Sequence, residues 1–261
     1  MKVLIENFSK QLREAIGIGQ KSELQNPKSE IKNVLITGLG GSGIGGTIVS
    51  EIVAAECPVP ITVNKDYFIP AFVNENSLVI VSSYSGNTEE TIQAMNAALK
   101  AKAKIVCVTS GGKIAEMAKQ NNCDLILIPG GSPPRAALAY SLTQLFFILK
   151  KLQLVNTDFE KQLRNAADLL DAEEKNIWAE AMAVTELLHQ KILVLYAADG
   201  YNGVATRFRQ QLNENSKMLC WHHILPEMNH NELVGWASAY DHVAIVILRN
   251  ESDYPRTQAR I

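Results

Sequence analysis

The sequence predicts an α/β protein on a doubly wound parallel sheet, and three observations carry that expectation. Short apolar runs of strand length, at 33–37, 78–82 and 104–109, alternate with stretches of helical periodicity. Two of those runs lead into turns of glycine or small polar residues and then at once into a helix pattern. The same strand, loop and helix grammar returns after Ile192, so the chain reads as two related halves, 1–153 with a leading helix and 154–261.

In chain order, residues 1–30 carry Leu12, Ala15, Ile16 and Ile18 among charges and read as a helix followed by a polar connector. The strand at 33–37 enters a glycine run at 38–46, read as a loop, and an apolar helix is expected at 47–55. A strand near 61–63 comes next. The strand at 78–82 then feeds Ser83-Tyr84-Ser85-Gly86-Asn87-Thr88 and a helix whose apolar face is Ile92, Met95 and Leu99. Asn87 stands three residues before Glu90, the spacing of a capping box. A strand at 104–109, a helix at 112–120 and a strand at 124–128 complete the first sheet. Pro133-Pro134-Arg135 is a rigid turn opening a helix at 136–149, since proline suits the first helical turn.

The charged helical stretch 158–189 reads as a solvated separator. The second half shows a strand at 192–197, a loop at 199–203, a helix at 204–217, and strands at 218–224 and 242–248. Three strands are fewer than the first sheet has, so this half reads as incomplete at its C-terminal end.

Composition narrows the function classes. The chain has 261 residues, 47% hydrophobic and 20% charged, ordinary values for a globular protein. A net charge of −2 offers no bulk attraction to nucleic acid or to an anionic membrane, so any anion site has to be local. Cys57, Cys107, Cys123 and Cys220 are widely spaced with no CxxC pair, which suits buried thiols in a reducing compartment. With no run of 18 apolar residues and no secretory pattern at the start, the expected location is the cytoplasm.

The turn at 82–91 is the most informative stretch. A helix N-terminus carries free N–H groups and the positive end of the helix dipole, and Ser83, Ser85 and Thr88 add hydroxyl donors around it. The simplest ligand is a phosphate. The glycine run also matches G-x-G-x-x-G through Gly38, Gly40 and Gly43, and Asp66 lies roughly 20 residues on, where a dinucleotide site has its ribose acid. Gly45 and Gly46 extend past that fingerprint, and the serine turn has no part in dinucleotide binding. Two such turns converging at the carboxyl edge of a sheet fit a phosphate joined to a small polar body.

These segments, with Asn213-Glu214-Asn215 and Glu227-Met228-Asn229-His230-Asn231-Glu232, resemble the sugar isomerase (SIS) domain proteins, and within them the bifunctional phosphoglucose/phosphomannose isomerases. The resemblance spans residues 30–250. It implies two flavodoxin-like subdomains, a homodimer with active sites at the subunit interface, a hexose 6-phosphate substrate and no metal or cofactor. It also implies that Gly41, Ser42, Ser83, Ser85 and Thr88 hold the phosphate, that Arg135 stabilises an enediolate, that Glu214 transfers the proton and that His230 assists ring opening. On the residues alone, Glu214 reads as an exposed helix glutamate, while Arg135 is a cation poorly placed at a helix start. His222 and His223 read as structural or exposed. The family's ring-opening lysine and a threonine that helps admit both epimers have no counterpart here, because neither Lys217 nor Thr257 sits in the matching motif. A fragment of a longer enzyme is therefore the expectation. The competing reading is a SIS-domain sensor that binds a phosphosugar without turnover, and such regulators usually carry a DNA-binding helix-turn-helix.

Overall fold

The computed structural model describes residues 1–25, 30–238 and 240–261, and the chain forms two compact units, Met1–Ala172 and Glu173–Ile261. Part of the polar connector expected before residue 30 lies outside the described residues.

The first unit contains α1 (Lys2–Glu6), α2 (Phe8–Lys21), β1 (Asn33–Thr37), α3 (Gly40–Ile52), β2 (Ile61–Asn64), β3 (Ser77–Ser82), α4 (Glu89–Lys100), β4 (Lys104–Thr109), α5 (Gly112–Gln120), β5 (Asp124–Leu127), α6 (Leu138–Lys151) and α7 (Phe159–Ala172). Its five strands are parallel in the order β2-β1-β3-β4-β5. Successive strand residues face opposite sides, so a strand covered by helices on both faces must be apolar throughout. Accordingly Val34, Ile36, Leu78 and Ile80 pack with residues of α3 and α6, whereas Leu35, Val79 and Val81 pack with Met95 of α4 and Ile114 of α5. All six residues of β3 are buried. The order 2-1-3-4-5 reverses direction between β1 and β3, and open α/β sheets bind ligands outside the carboxyl ends at such a switch.

The second unit contains α8 (Glu174–Leu188), β6 (Ile192–Ala198), α9 (Asn202–Gln211), β7 (Cys220–Leu225), β8 (Val243–Leu248) and α10 (Pro255–Arg260). Its three strands are parallel in the order β7-β6-β8, with β6 buried from Leu193 onward. No helix among the described residues is long and apolar enough to cross a membrane.

Three expectations need correction. The division falls after Ala172 rather than after residue 153. The stretch read as a charged separator supplies α7 to the first unit: Phe159 stacks on Phe146 at 4.6 Å, Ala167 packs with Leu12 and Ala139, and Arg13 pairs with Asp168 and Asp171 at 2.7 Å each. Its apolar stripe decides its packing, and Asp168 and Asp171 flank that stripe on the side of α2. Second, most of the glycine run is helix, because α3 begins at Gly40. Third, the helix expected at 204–217 ends at Gln211 and widens into a π-helical turn, Leu212–Ser216.

Candidate functional site

The β1–α3 and β3–α4 turns meet at the switch point. A Cβ on Gly43 would lie 2.2 Å from the Gly38 carbonyl oxygen, so only glycine lets α3 start this close to the end of β1. Ser42, in the first turn of α3, accepts the Tyr84 N–H at 3.0 Å and ties the two turns together. Ser83 donates to Thr88 Oγ1 at 3.1 Å, and the Asn87 N–H reaches Ser85 Oγ at 3.2 Å. Ser42 and Ser83 are buried, Thr88 is half-buried and Ser85 is exposed. Thr88 is the N-cap of α4 and makes no side-chain cap hydrogen bond. This hydroxyl-lined helix start has the chemistry of an anion cradle.

The capping-box expectation for Asn87 is overturned. Its Oδ1 accepts the Lys113 N–H at 3.0 Å, so it caps α5 rather than α4. The reason is the left-handed turn at Gly86 (φ 69°), whose carbonyl accepts the Ile114 N–H at 2.9 Å and seats the turn on the start of α5.

A third turn closes on the other two. The single helical turn Pro134–Ala136 precedes α6, and a Cβ on Gly41 would lie 2.9 Å from the Pro134 carbonyl oxygen. The Ser132 N–H donates to Tyr84 Oη at 3.1 Å. Gly41, Ser42, Ser83, Ser85, Thr88 and the partly buried Arg135 therefore all belong to three mutually bonded turns at one edge of the sheet. Tyr84 was assigned no role from sequence, yet it joins all three turns through its N–H and phenol. The available signal was a lone aromatic inside a run of small polar residues.

Glu214 and His230 belong to the second unit, where the structure does not bring them together. Glu214 is exposed on the π-helical turn ahead of β7, and the neighbouring Asn213 bonds to Met218 and Cys220 at the start of that strand. His230 is exposed in the turn Glu227–His230, which follows the strand's other end. Five rises of about 3.3 Å put about 17 Å of strand between those ends. Burial pulls the Arg207 guanidinium below its ordinary value, and the charge of Glu214 acts in the opposite sense.

His222 and His223 are held inside the fold, as the structural reading expects. His222 Nδ1 accepts from Arg209 Nε at 3.2 Å, and its Nε2 faces Asn202 Oδ1 at 3.1 Å and Thr206 Oγ1 at 3.0 Å. His223 pairs with Glu232 at 2.6 Å. The same carboxylate accepts from the Tyr196 phenol, which accepts from Trp236 Nε1 at 2.8 Å.

Comparison with known proteins speaks to family and fold. The model of the bacterial phospho-glucose isomerase C-terminal SIS domain matches residues 178–261. The bifunctional phosphoglucose/phosphomannose isomerase of Caldicellulosiruptor bescii is 38% identical over 98% of this chain and 79% of its own length. That of Thermoplasma acidophilum is 37% identical over 88% of this chain and 70% of its own length. Among solved structures, the C-terminal domain of glucosamine-fructose-6-phosphate aminotransferase from Francisella tularensis shares the fold, with a TM-score of 0.73 at 17% identity, covering 94% of this chain and 75% of that one. By its identity to these relatives over most of their length, the chain belongs to the bifunctional phosphoglucose/phosphomannose isomerase family.

Proposed function

We propose that the protein interconverts glucose 6-phosphate, and mannose 6-phosphate, with fructose 6-phosphate through a cis-enediol. The observation that carries this reading is the set of three joined turns at the β1/β3 switch, which offers a phosphate hydroxyls and a helix start, with Arg135 on the third turn. The phosphate end of the sugar rests on Gly41, Ser42, Ser83, Ser85 and Thr88. His230 exchanges a proton with the ring oxygen, as an imidazole can near neutral pH. Glu214 then takes the C2 proton of the open-chain aldose, and the electron pair forms the C1=C2 double bond. Arg135 faces the resulting oxyanion, where a fixed positive charge lowers the barrier. The acid form of Glu214 returns the proton to C1 while the hydroxyl proton passes from O2 to O1. Oxidation at C2 and reduction at C1 balance within one molecule, so the reaction asks for no metal or cofactor.

The placement of Glu214 and His230 at opposite ends of β7 supports an active site at the interface of a homodimer, with the two groups drawn from different subunits. The reading places the protein in the cytoplasm. A coupled assay with fructose 6-phosphate tests it: glucose 6-phosphate should form at a rate proportional to enzyme. Saturable binding with no product would reject the isomerase and favour the sensor.

A further inference from the structure

The run Asn213-Glu214-Asn215 contains two amides that the reaction above leaves unused. The turn that carries them is a single π-helical turn, Leu212–Ser216, a form that is rare, less well packed than α-helix and frequent at functional sites. Such a turn has to be held by contacts outside its own backbone, and the side chains around Glu214 supply them. Asn213 Nδ2 donates to the Met218 carbonyl at 2.7 Å and lies 3.6 Å from Cys220 Sγ. Cys220 is the buried first residue of β7, so this amide fastens the turn to the sheet. Asn215 Nδ2 reaches Gln211 Oε1 at 2.5 Å, back in the last turn of α9. Lys217, in the left-handed region at φ 58°, donates its Nζ to the Glu214 carbonyl at 2.5 Å.

We propose that Asn213 is a positioning residue for Glu214: by bonding to the start of β7 it fixes the peptide from which the exposed carboxylate projects, and so sets where the base stands. This rests on reading Glu214 as the base. Asn213 spends amide protons on the backbone and thiol of the next strand and offers the sugar nothing, so its effect passes through its neighbour. An alanine removes the tie and lets the π-helical turn relax toward α-helical winding, which rotates Glu214 about the helix axis. A displacement of about 1 Å can cost about 100-fold in rate.

The test compares Asn213→Ala, Asn213→Leu and Glu214→Gln in the isomerase assay on the whole chain. Leucine keeps the branching and the number of heavy atoms and removes the donors, so it carries the test if the alanine variant does not fold. The expected result is a fall in kcat of about 10- to 100-fold with KM for fructose 6-phosphate within about twofold of wild type. Asn213→Ala should also add no further loss to Glu214→Gln, because the group it positions is already gone. A kcat within about twofold of wild type, or a KM rise matching the kcat loss, overturns the proposal and leaves Asn213 as a plain structural tie. Wild-type activity in Glu214→Gln removes the base assignment itself. Loss of activity there with full activity in the Asn213 variants keeps the base and rejects only its positioning.

Discussion

The two sheets start from the same plan and diverge. In each, the first strand lies between the second and the third, giving β2-β1-β3 in one unit and β7-β6-β8 in the other. β8 is the more apolar of the two third strands, VAIVIL against SLVIVS, yet β3 is buried at all six positions while Ile245 and Ile247 of β8 are 45% and 38% exposed. The difference is a neighbour. β4 pairs along β3, whereas among the described residues β8 pairs with β6 alone. Burial is thus set by position in the sheet rather than by composition. The turns after the first strands diverge too: glycines let β1 and α3 close tightly in one unit, while α9 sets Asn202, Thr206 and Arg209 against His222 in the other. One unit carries the turns proposed to hold the phosphate, and the other carries the groups proposed to move protons.

That division of labour can be broken most sharply by kinetics. Glu214→Gln should lower kcat by about 10²- to 10⁴-fold with little change in KM, the usual worth of a positioned acid–base group. Ser83→Ala, in the first unit, should instead raise KM by about 10- to 100-fold with kcat nearly kept, the worth of one lost hydrogen bond to a charged group. Initial-rate measurements on both variants that moved the same parameter would end the distinction.

A second comparison is energetic. Ile80→Ala removes a fully buried side chain of β3 and should cost about 2–5 kcal/mol by urea unfolding. Ile245→Ala, on the exposed strand of the other sheet, should cost about 1 kcal/mol or less, because less apolar area leaves water there. Equal costs would show that β8 is covered in solution. The smallest effect concerns the cap: Asn87→Ala should cost about 1 kcal/mol. Hydrogen exchange should speed up at the Lys113 amide while the first turn of α4 is unchanged, and the reverse pattern would restore the capping box.

Sequence reading succeeded where the signal is local and periodic. The strands expected at 33–37, 78–82 and 104–109 and the helix at 112–120 stand within one residue of where the pattern puts them, because apolar runs of fixed length leave the chain few ways to bury them. It failed where two segments compete for one group. Asn87 has a helix start on its own side and another across the turn, and spacing alone cannot weigh them. It failed again where helix is stabilised by what it touches. Glycines at 40–46 discourage helix by propensity, yet close packing against β1 and the Pro134 turn makes them helical. The stretch 158–172 looked solvated because its charges outnumber its apolar stripe, and the stripe is what α2 and α6 bury.

By itself the sequence determined the parallel α/β class, which follows from residue type and short-range spacing, and its motifs carried the resemblance to the family. Tertiary structure alone decided that three turns distant in sequence meet through Tyr84, that Asn87 serves α5, and that Glu214 stands on a π-helical turn at the opposite end of β7 from His230. The physical reason is common to all three. Hydrogen-bond partners far apart in the chain are chosen by strand order and helix packing, which a local pattern does not encode.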